Sequence, residues 1–220
     1  MSIREIISSI DFFSSLNEEQ IDLLSSISMI HSYPKNYILH YERENNKNLL
    51  FLVDGLAKAY KIDKHQNEIF LYYIHKNTLL SEISNLNTKT LVSFSNIEII
   101  ENSNILSINY QKFNEFFLKK NILCLEFTNE IIKHSYKLQN IINKEFIFDS
   151  VAKVSMMIAT DLDIFNKLKR QDISLILHIQ PSTLSRVLNR LKRNKIIDIS
   201  HGKITITDLV ALEDIYKGLV

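Results

Sequence analysis

A basic amphipathic segment from Gln180 to Lys195 is the feature that most restricts how this chain can fold. Its apolar positions recur at i, i+3, i+4 and i+7: Leu184, Val187, Leu188 and Leu191. That spacing predicts a helix with one buried stripe. Pro181 suits the first turn of such a helix, where its missing N–H leaves no hydrogen bond unmade.

A second apolar pattern precedes this helix, and an alternating pattern follows it. Ile173, Ile176 and Leu177 fall at i, i+3 and i+4, which predicts a shorter helix that is joined to the first by the turn HIQP. Downstream, IIDISHGKITITD alternates apolar and polar residues around Gly202, which predicts a two-stranded wing. Together these patterns predict a winged helix-turn-helix, whose second helix enters a major groove of double-stranded DNA.

The distribution of charge agrees with such a partner. Between Lys167 and Lys203, nine basic residues stand against two acidic ones, a net charge of +7. The whole chain carries +1, so the remainder carries −6. A basic segment on an acidic body favours a polyanionic partner for that segment, whereas a charge run without a motif is usually only a solvated face.

The exposed side of the long helix predicts two kinds of DNA contact. Arg186, near the helix start, can donate two hydrogen bonds to guanine O6 and N7, and the hydroxyls beside it can bond to bases or phosphates. The basic residues from Arg190 to Lys195, Lys192 among them, are predicted to contact phosphates, which give affinity without sequence information. The predicted DNA-binding set is Gln180, Ser182, Thr183, Ser185, Arg186, Asn189, Arg190, Arg193, Lys195 and Lys203.

Other classes of protein fit the sequence less well. No apolar run approaches the roughly 18 residues of a membrane span, and charged residues interrupt the apolar N-terminus, so we expect a cytoplasmic protein without a membrane partner. A cupin-like metal enzyme or small-molecule-binding enzyme is one alternative, but the sequence has no His-x-His pair and no Gly-rich phosphate loop. We therefore expect no catalytic residues and no metal site.

A regulator that acts by protein contacts alone is the other alternative, and the basic segment argues against it.

The first 120 residues and the segment after them predict two further parts. Short, apolar, turn-bounded segments, one of them turning at Gly55, predict an antiparallel β-roll. A long helix of roughly Ile122 to Glu145 follows, and its apolar residues alternate steps of three and four: Cys124, Phe127, Ile131, His134, Leu138 and Ile141. This seam predicts a homodimer. The alternative is that the seam packs only on its own roll. The dimer is favoured because Ile122, Ile132 and Ile142 offer a second apolar face that can pack on the roll.

The sequence resembles the catabolite-activator/fumarate-nitrate-regulator (Crp/Fnr) family. TLSRVLNRL matches the family's recognition helix, and SYPKNYILHYERE, NLLFLVDGLAKAYKID and NEIFLYYIHKNTLLSEISNL are similar to its roll. FIFDSVAKVSMMIATDL is similar to its hinge and to the first helix of its DNA domain. Three positions depart from the family pattern: Ser174 for alanine, His178 for a turn glycine and Ser182 for a glutamate that would bond to a cytosine amine.

The resemblance implies an α+β fold with a cyclic-nucleotide-binding-like jelly roll over residues 1–120. A long dimerisation helix and hinge would follow over residues 121–147, and a C-terminal winged helix-turn-helix over residues 148–220. It also implies a transcription regulator that binds a palindromic site as a homodimer and has RNA polymerase as a partner.

The resemblance also bears on the signal. The family's cyclic-nucleotide members use a Gly-Glu pair and an Arg-Ser pair. Here Ser81 replaces the glycine beside Glu82, and Asn87 and Thr88 stand at the Arg-Ser positions, so cAMP is not expected. One cysteine, Cys124, excludes an intrachain iron–sulfur cluster of four thiolates. The effector-binding residues are left unknown; haem held by a histidine, a small organic ligand or no ligand are the options.

Overall fold

The structure is a computed structural model that describes residues 2–83, 85–86, 88–143 and 147–217. Its contacts divide the chain into two compact units, Met1–Lys137 and Leu138–Val220. The predicted boundaries near residues 120 and 147 stay a prediction. Among the described residues, no helix has both the length and the apolar character that a bilayer crossing requires.

The first unit opens with two short helices, α1 (Ile3–Ser9) and α2 (Glu18–Ser26), on either side of a 3₁₀ turn at Asp11–Phe13. Each helix begins with a capping box, in which the side chain before the helix and the third helical residue bond to each other's backbone. The 3₁₀ turn buries Phe12 and Phe13, whose rings lie 5.1 and 5.0 Å from that of Phe51.

The first unit continues as an antiparallel β-roll, which confirms the predicted fold class. The strands are β1 (Ser28–Tyr33), β2 (Ile38–His40), β3 (Asn45–Asn46), β4 (Asn48–Ile62), β5 (Glu68–His75), β6 (Thr78–Leu79), β7 (Leu91–Val92) and β8 (Asn96–Asn109). The main sheet has the order β1-β8-β4-β5, with β2 paired to β8 and β6 paired to β4, while β3 and β7 form a separate pair. Gly55 lies where the β4–β8 register shifts, so the strand bends there.

Three helical pieces follow the roll: α3 (Tyr110–Phe116), a 3₁₀ turn (Leu118–Lys120) and α4 (Cys124–Ile142). Phe127 of α4 is 2% exposed and lies in the roll core, 6.1 Å ring to ring from both Phe12 and Phe113. The prediction that Phe127 forms part of a dimer seam is therefore wrong, because its own roll covers it completely.

The other residues of the predicted seam divide between the roll and solvent. The Cys124 Sγ donates to the Leu118 carbonyl at 3.5 Å, and His134 faces the roll. Ile131 is 44% and Leu138 is 47% exposed, while Ile141 is half-buried. The two faces of α4 were therefore partly exchanged in the prediction: Ile132, expected to pack on the roll, is 47% exposed.

The second unit is helical with a small hairpin. Its elements are α5 (Ser150–Thr160), α6 (Leu162–Lys167), α7 (Arg170–Ile176), α8 (Pro181–Arg193), β9 (Ile197–Ser200), β10 (Lys203–Ile206) and α9 (Leu209–Lys217). Helix α8 buries the predicted stripe of Leu184, Val187, Leu188 and Leu191. The antiparallel pair β9–β10 is the predicted wing.

Candidate functional site

Helix α8 presents a polar face that its buried stripe fixes in orientation. Gln180 precedes the helix in an extended conformation, and Thr183 is half-buried above the core. The remaining predicted residues of the helix are exposed on the opposite face: Ser182, Ser185, Arg186, Asn189, Arg190 and Arg193. A helix surface of this kind, with hydroxyl groups at its start and guanidinium groups along it, can read base edges and bind phosphates.

The hydrogen bonds of this face leave its charged groups available. The Ser185 Oγ donates to the Pro181 carbonyl at 3.1 Å, so its lone pairs remain free to accept. Within the described part of the chain, Arg186 and Arg193 make no ion pair and no side-chain hydrogen bond. Their full donor capacity can therefore go to a ligand.

Two turn positions around α8 carry left-handed backbone at residues other than glycine. His178, between α7 and α8, has φ 51°, which explains why the family pattern places a glycine there. Lys195 has φ 59° and follows Asn194, the C-cap residue of α8. Its N–H donates to the Lys192 carbonyl, and the Ile196 N–H donates to the Leu191 carbonyl, so a Schellman motif closes the helix.

Lys192 differs from the other basic residues of α8. Its Nζ lies 3.1 Å from Asp198 Oδ1 and donates to the Ile199 carbonyl at 3.1 Å, so the ammonium faces the wing. The hydrogen bond from Lys192 to the Asp198 carboxylate holds the pKa of Asp198 below its usual range. A phosphate contact by Lys192 would therefore compete with its contacts to Asp198 and Ile199. Lys203, on β10, is exposed.

A second polar cluster lies inside the first unit, around Glu82. The Glu82 carboxylate accepts from the Phe94 and Ser95 N–H groups and from the Ser95 hydroxyl, the last at 3.0 Å. Ser81 accepts from the Leu50 N–H at 2.9 Å. Glu82, with a side chain only 5% exposed, is therefore committed to the backbone of its own roll.

Two side chains of α4 approach this carboxylate. The His134 Nε2 lies 3.2 Å from the Tyr72 Oη and 3.8 Å from a Glu82 oxygen. The Lys137 Nζ stands 5.2 Å from the centre of the Tyr72 ring, within the range of a cation–π contact. Burial lowers the pKa of both His134 and Lys137 and raises that of Tyr72.

These groups border a small cleft between the roll and α4. Its walls are Leu79, Ser81, Glu82, Ile83, Glu130, Ile131, Lys133, His134 and Lys137. Glu130 and Lys133 pair with each other at 2.6 Å, while Lys137 makes no ion pair with a described residue. Among the described residues, no group of three His, Cys, Asp or Glu side chains is placed to hold a metal ion.

Two family models match this sequence. The Crp-like helix-turn-helix domain matches residues 156–215, and the cyclic nucleotide-binding domain matches residues 30–120. The chain is a Crp/Fnr-type transcription regulator. A Crp-like helix-turn-helix implies DNA binding. No curated protein matches the sequence.

Several solved structures share this fold at low identity. A CooA variant from Carboxydothermus hydrogenoformans aligns with a TM-score of 0.70 and 17% identity over 94% of this chain and 95% of that one. FixK2 from Bradyrhizobium japonicum aligns at 0.65 and 14% over 86% and 97%. A crp/fnr-family regulator from Eubacterium rectale aligns at 0.59 and 19% over 94% and 98%.

The structure describes only part of the family's signal-binding positions, and it adds cleft residues that the sequence did not indicate. Asn87, one of the two residues at the family's Arg-Ser positions, lies outside the described residues, and Thr88 bonds to the Asn85 and Thr90 carbonyls. Tyr72 and Lys137 had no motif or periodic signal, because strand β5 and helix α4 bring them together only in the folded roll.

Proposed function

We propose that this Crp/Fnr protein binds a palindromic DNA site as a homodimer and recruits or blocks RNA polymerase there. The observation that carries this proposal is the α8 face, where Arg186 is exposed without a protein partner among the described residues, close to the helix start. Two recognition helices related by a two-fold axis would reach successive major grooves about 34 Å apart.

Two arginines of α8 provide a matched test of sequence recognition. Arg186→Ala should cost about 1–3 kcal/mol on the selected site and relax one base preference. Arg193→Ala should weaken binding to all DNA and make the salt dependence shallower, by about 0.9 in log–log slope per lost contact. Anisotropy titrations on the selected site and on random DNA, at several salt concentrations, distinguish the two. An equal loss for Arg186→Ala on both DNAs would contradict its role in base recognition.

The face of α4 that turns away from the roll supports a revised dimer seam. Leu125, Ile132 and Tyr136 are 70%, 47% and 69% exposed, and they follow the spacing of a heptad seam. Asn129, Gln139 and Asn143 complete the same heptad positions, and polar residues at a seam favour one register.

Ile132 lies on the revised seam and Leu138 on the seam first predicted. Because the two side chains are equally exposed, substitutions at these positions distinguish the two seams. Ile132→Asp should convert the dimer to a monomer in sedimentation equilibrium, and Leu138→Asp should leave it dimeric. The reverse result would restore the seam that runs through Leu138, and a monomeric wild type at micromolar concentration would remove the homodimer.

The cleft beside Glu82 supports a signal other than a cyclic nucleotide. The carboxylate that a ribose hydroxyl would need is already bonded to Phe94 and Ser95. Lys137, half-buried over Tyr72 and in no ion pair with a described residue, favours a small anion such as a carboxylate.

Calorimetric titration tests this assignment. We expect no binding of cAMP or cGMP at micromolar concentration, and binding by one or more of a panel of small mono- and dicarboxylates that Lys137→Met abolishes. Micromolar cyclic-nucleotide binding would contradict the proposal, as would carboxylate binding that Lys137→Met leaves intact.

Haem fits this cleft poorly. Five ionisable side chains line it, and a porphyrin needs a largely apolar slot. His134, the imidazole at the cleft, already has its Nε2 beside Tyr72. An absorption spectrum after addition of haem to the protein without oxygen tests the point, since a Soret band that shifts with carbon monoxide or nitric oxide would reinstate haem.

A further inference from the structure

The wing is a two-stranded hairpin, and hairpins of this size have little stability of their own. Its turn residues His201 and Gly202 both have left-handed backbone, with φ 49° and 78°, as a tight two-residue hairpin turn requires. Such a turn sets the register of β9 and β10 but not the direction in which the hairpin projects. Contacts with the helices must supply that direction.

One asparagine bonds to both backbone groups of a single wing residue. The Asn166 Nδ2 on α6 donates to the Ile204 carbonyl at 2.9 Å, and its Oδ1 accepts from the Ile204 N–H at 2.7 Å. The Ile204 side chain is 1% exposed. Asn166 therefore acts as the neighbouring strand that the outer edge of β10 lacks.

Two further side chains hold the same hairpin at other points. The Arg170 Nη2, at the start of α7, donates to the Gly202 carbonyl at 3.1 Å, and its guanidinium stacks 5.0 Å from the Phe165 ring centre. Lys192 on α8 bonds to the Ile199 carbonyl on the other edge of the wing. Three helices thus each contribute one polar side chain to the wing backbone.

We propose that Asn166 and Arg170 are positioning residues for DNA binding: they fix the wing so that Lys203 reaches a phosphate, and they do not contact DNA themselves. Lys203 is exposed on the strand that Asn166 holds, one residue before Ile204. The proposal deepens the proposed DNA contact of Lys203 and rests on it. It assigns Arg170, a member of the basic segment, to the wing backbone instead of to the nucleic acid.

The bonds from Asn166 and Arg170 to the wing backbone are here called the clamp. Loss of the clamp should have the same effect on DNA binding as loss of Lys203. Removal of one phosphate contact should reduce the salt slope by about 0.9, which corresponds to about fivefold weaker binding at 0.15 M salt. We expect Lys203→Ala and Asn166→Ala each to show this loss on specific and random DNA. The double variant should lose no more than either single variant, because without the clamp Lys203 has no contact left to lose.

Arg170→Lys supplies a second variant that keeps the charge but loses the bond to Gly202. A shallower salt slope in Arg170→Lys supports the positioning role, because a direct phosphate contact would survive this exchange. Circular dichroism and the discrimination between specific and random DNA should stay at wild-type values in every variant whose α8 remains folded.

Three outcomes would overturn the assignment. Additive losses in the double variant would show that Asn166 acts independently of Lys203. Wild-type slopes for both Asn166→Ala and Arg170→Lys would show that the wing needs no clamp. An unchanged salt slope for Lys203→Ala would show that Lys203 makes no phosphate contact. This result does not depend on the clamp variants.

Discussion

A Cβ atom on Gly55 would lie 2.1 Å from the Ser103 hydroxyl and 2.8 Å from the Asn102 carbonyl. The backbone at Gly55 also has φ 90°, which side chains other than glycine rarely adopt. The close approach of β4 to β8 at the bend of the roll therefore depends on the absence of one methyl group.

Gly55→Ala should destabilise the first unit by about 3 kcal/mol or more, since steric overlap adds to backbone strain. Gly202→Ala is the matched control: its φ is 78° but no atom lies within 4 Å of the added Cβ, so about 1 kcal/mol is expected in the second unit. Hydrogen exchange in increasing urea reads the two units separately. Equal losses of unfolding free energy at the two sites would show that the Ser103 side chain moves away from the added Cβ without destabilising the unit.

Lys195→Gly should separate stability from DNA binding. Glycine is the favoured residue at the left-handed position of a Schellman motif, so the change should stabilise the second unit by about 0.5–1 kcal/mol. The same change should weaken binding to all DNA through the lost phosphate contact. Urea unfolding and anisotropy titration on one preparation measure both effects. Unchanged DNA affinity would remove Lys195 from the phosphate contacts.

His40→Leu should stabilise the roll and flatten its response to acid. His40 is 2% exposed, and neither ring nitrogen has a hydrogen-bond partner among the described residues. Burial lowers the pKa of His40, against smaller opposing effects of Glu82 and Glu44. Replacement of this unsatisfied group by an apolar side chain should add about 1–2 kcal/mol at neutral pH.

The pH effect of His40 has a definite sign. Its folded pKa lies below the unfolded value near 6.5, so the unfolded chain takes up the proton first as the pH falls. The wild type should lose stability as the pH falls below about 6.5, and His40→Leu should lose less. His65→Leu, at an exposed position, is the control and should follow the wild-type curve.

Ser182→Glu should alter the base preference of α8. Ser182 is exposed in the first turn, and a glutamate there can accept from a cytosine amine, with about 1–3 kcal/mol of discrimination. Selection from a random DNA pool, with wild type and variant in parallel, should show a new cytosine in each half-site. An unchanged consensus would mean that position 182 does not reach the base edges.

The parts of the fold that sequence could predict are those set by local periodicity. The stripe of α8 and the alternation of the wing needed only neighbouring residues, and both were confirmed. Helix α4 was predicted with the wrong face because it carries two apolar stripes, and only the packed aromatic cluster around Phe12 decides that Phe127 points inward.

The clamp on the wing left no trace in the sequence. Asn166 is one of three polar residues in a short helix, and its role depends on Ile204, 38 residues away. The left-handed backbone of Lys195 was equally hidden, because no glycine marks that position, whereas the family pattern marked His178 as a turn-glycine position. Long-range pairing and backbone conformation therefore account for most of what the patterns missed.

The bonds from Asn166 have one more consequence, for the protein when no DNA is bound. A short exposed hairpin offers an open edge on which strands of other molecules can add, and this is a common route to aggregation. The Ile204 N–H and carbonyl are the groups on which such growth would begin, and Asn166 occupies both of them. The same side chain that directs the wing thus also helps to keep the free regulator from polymerising through it.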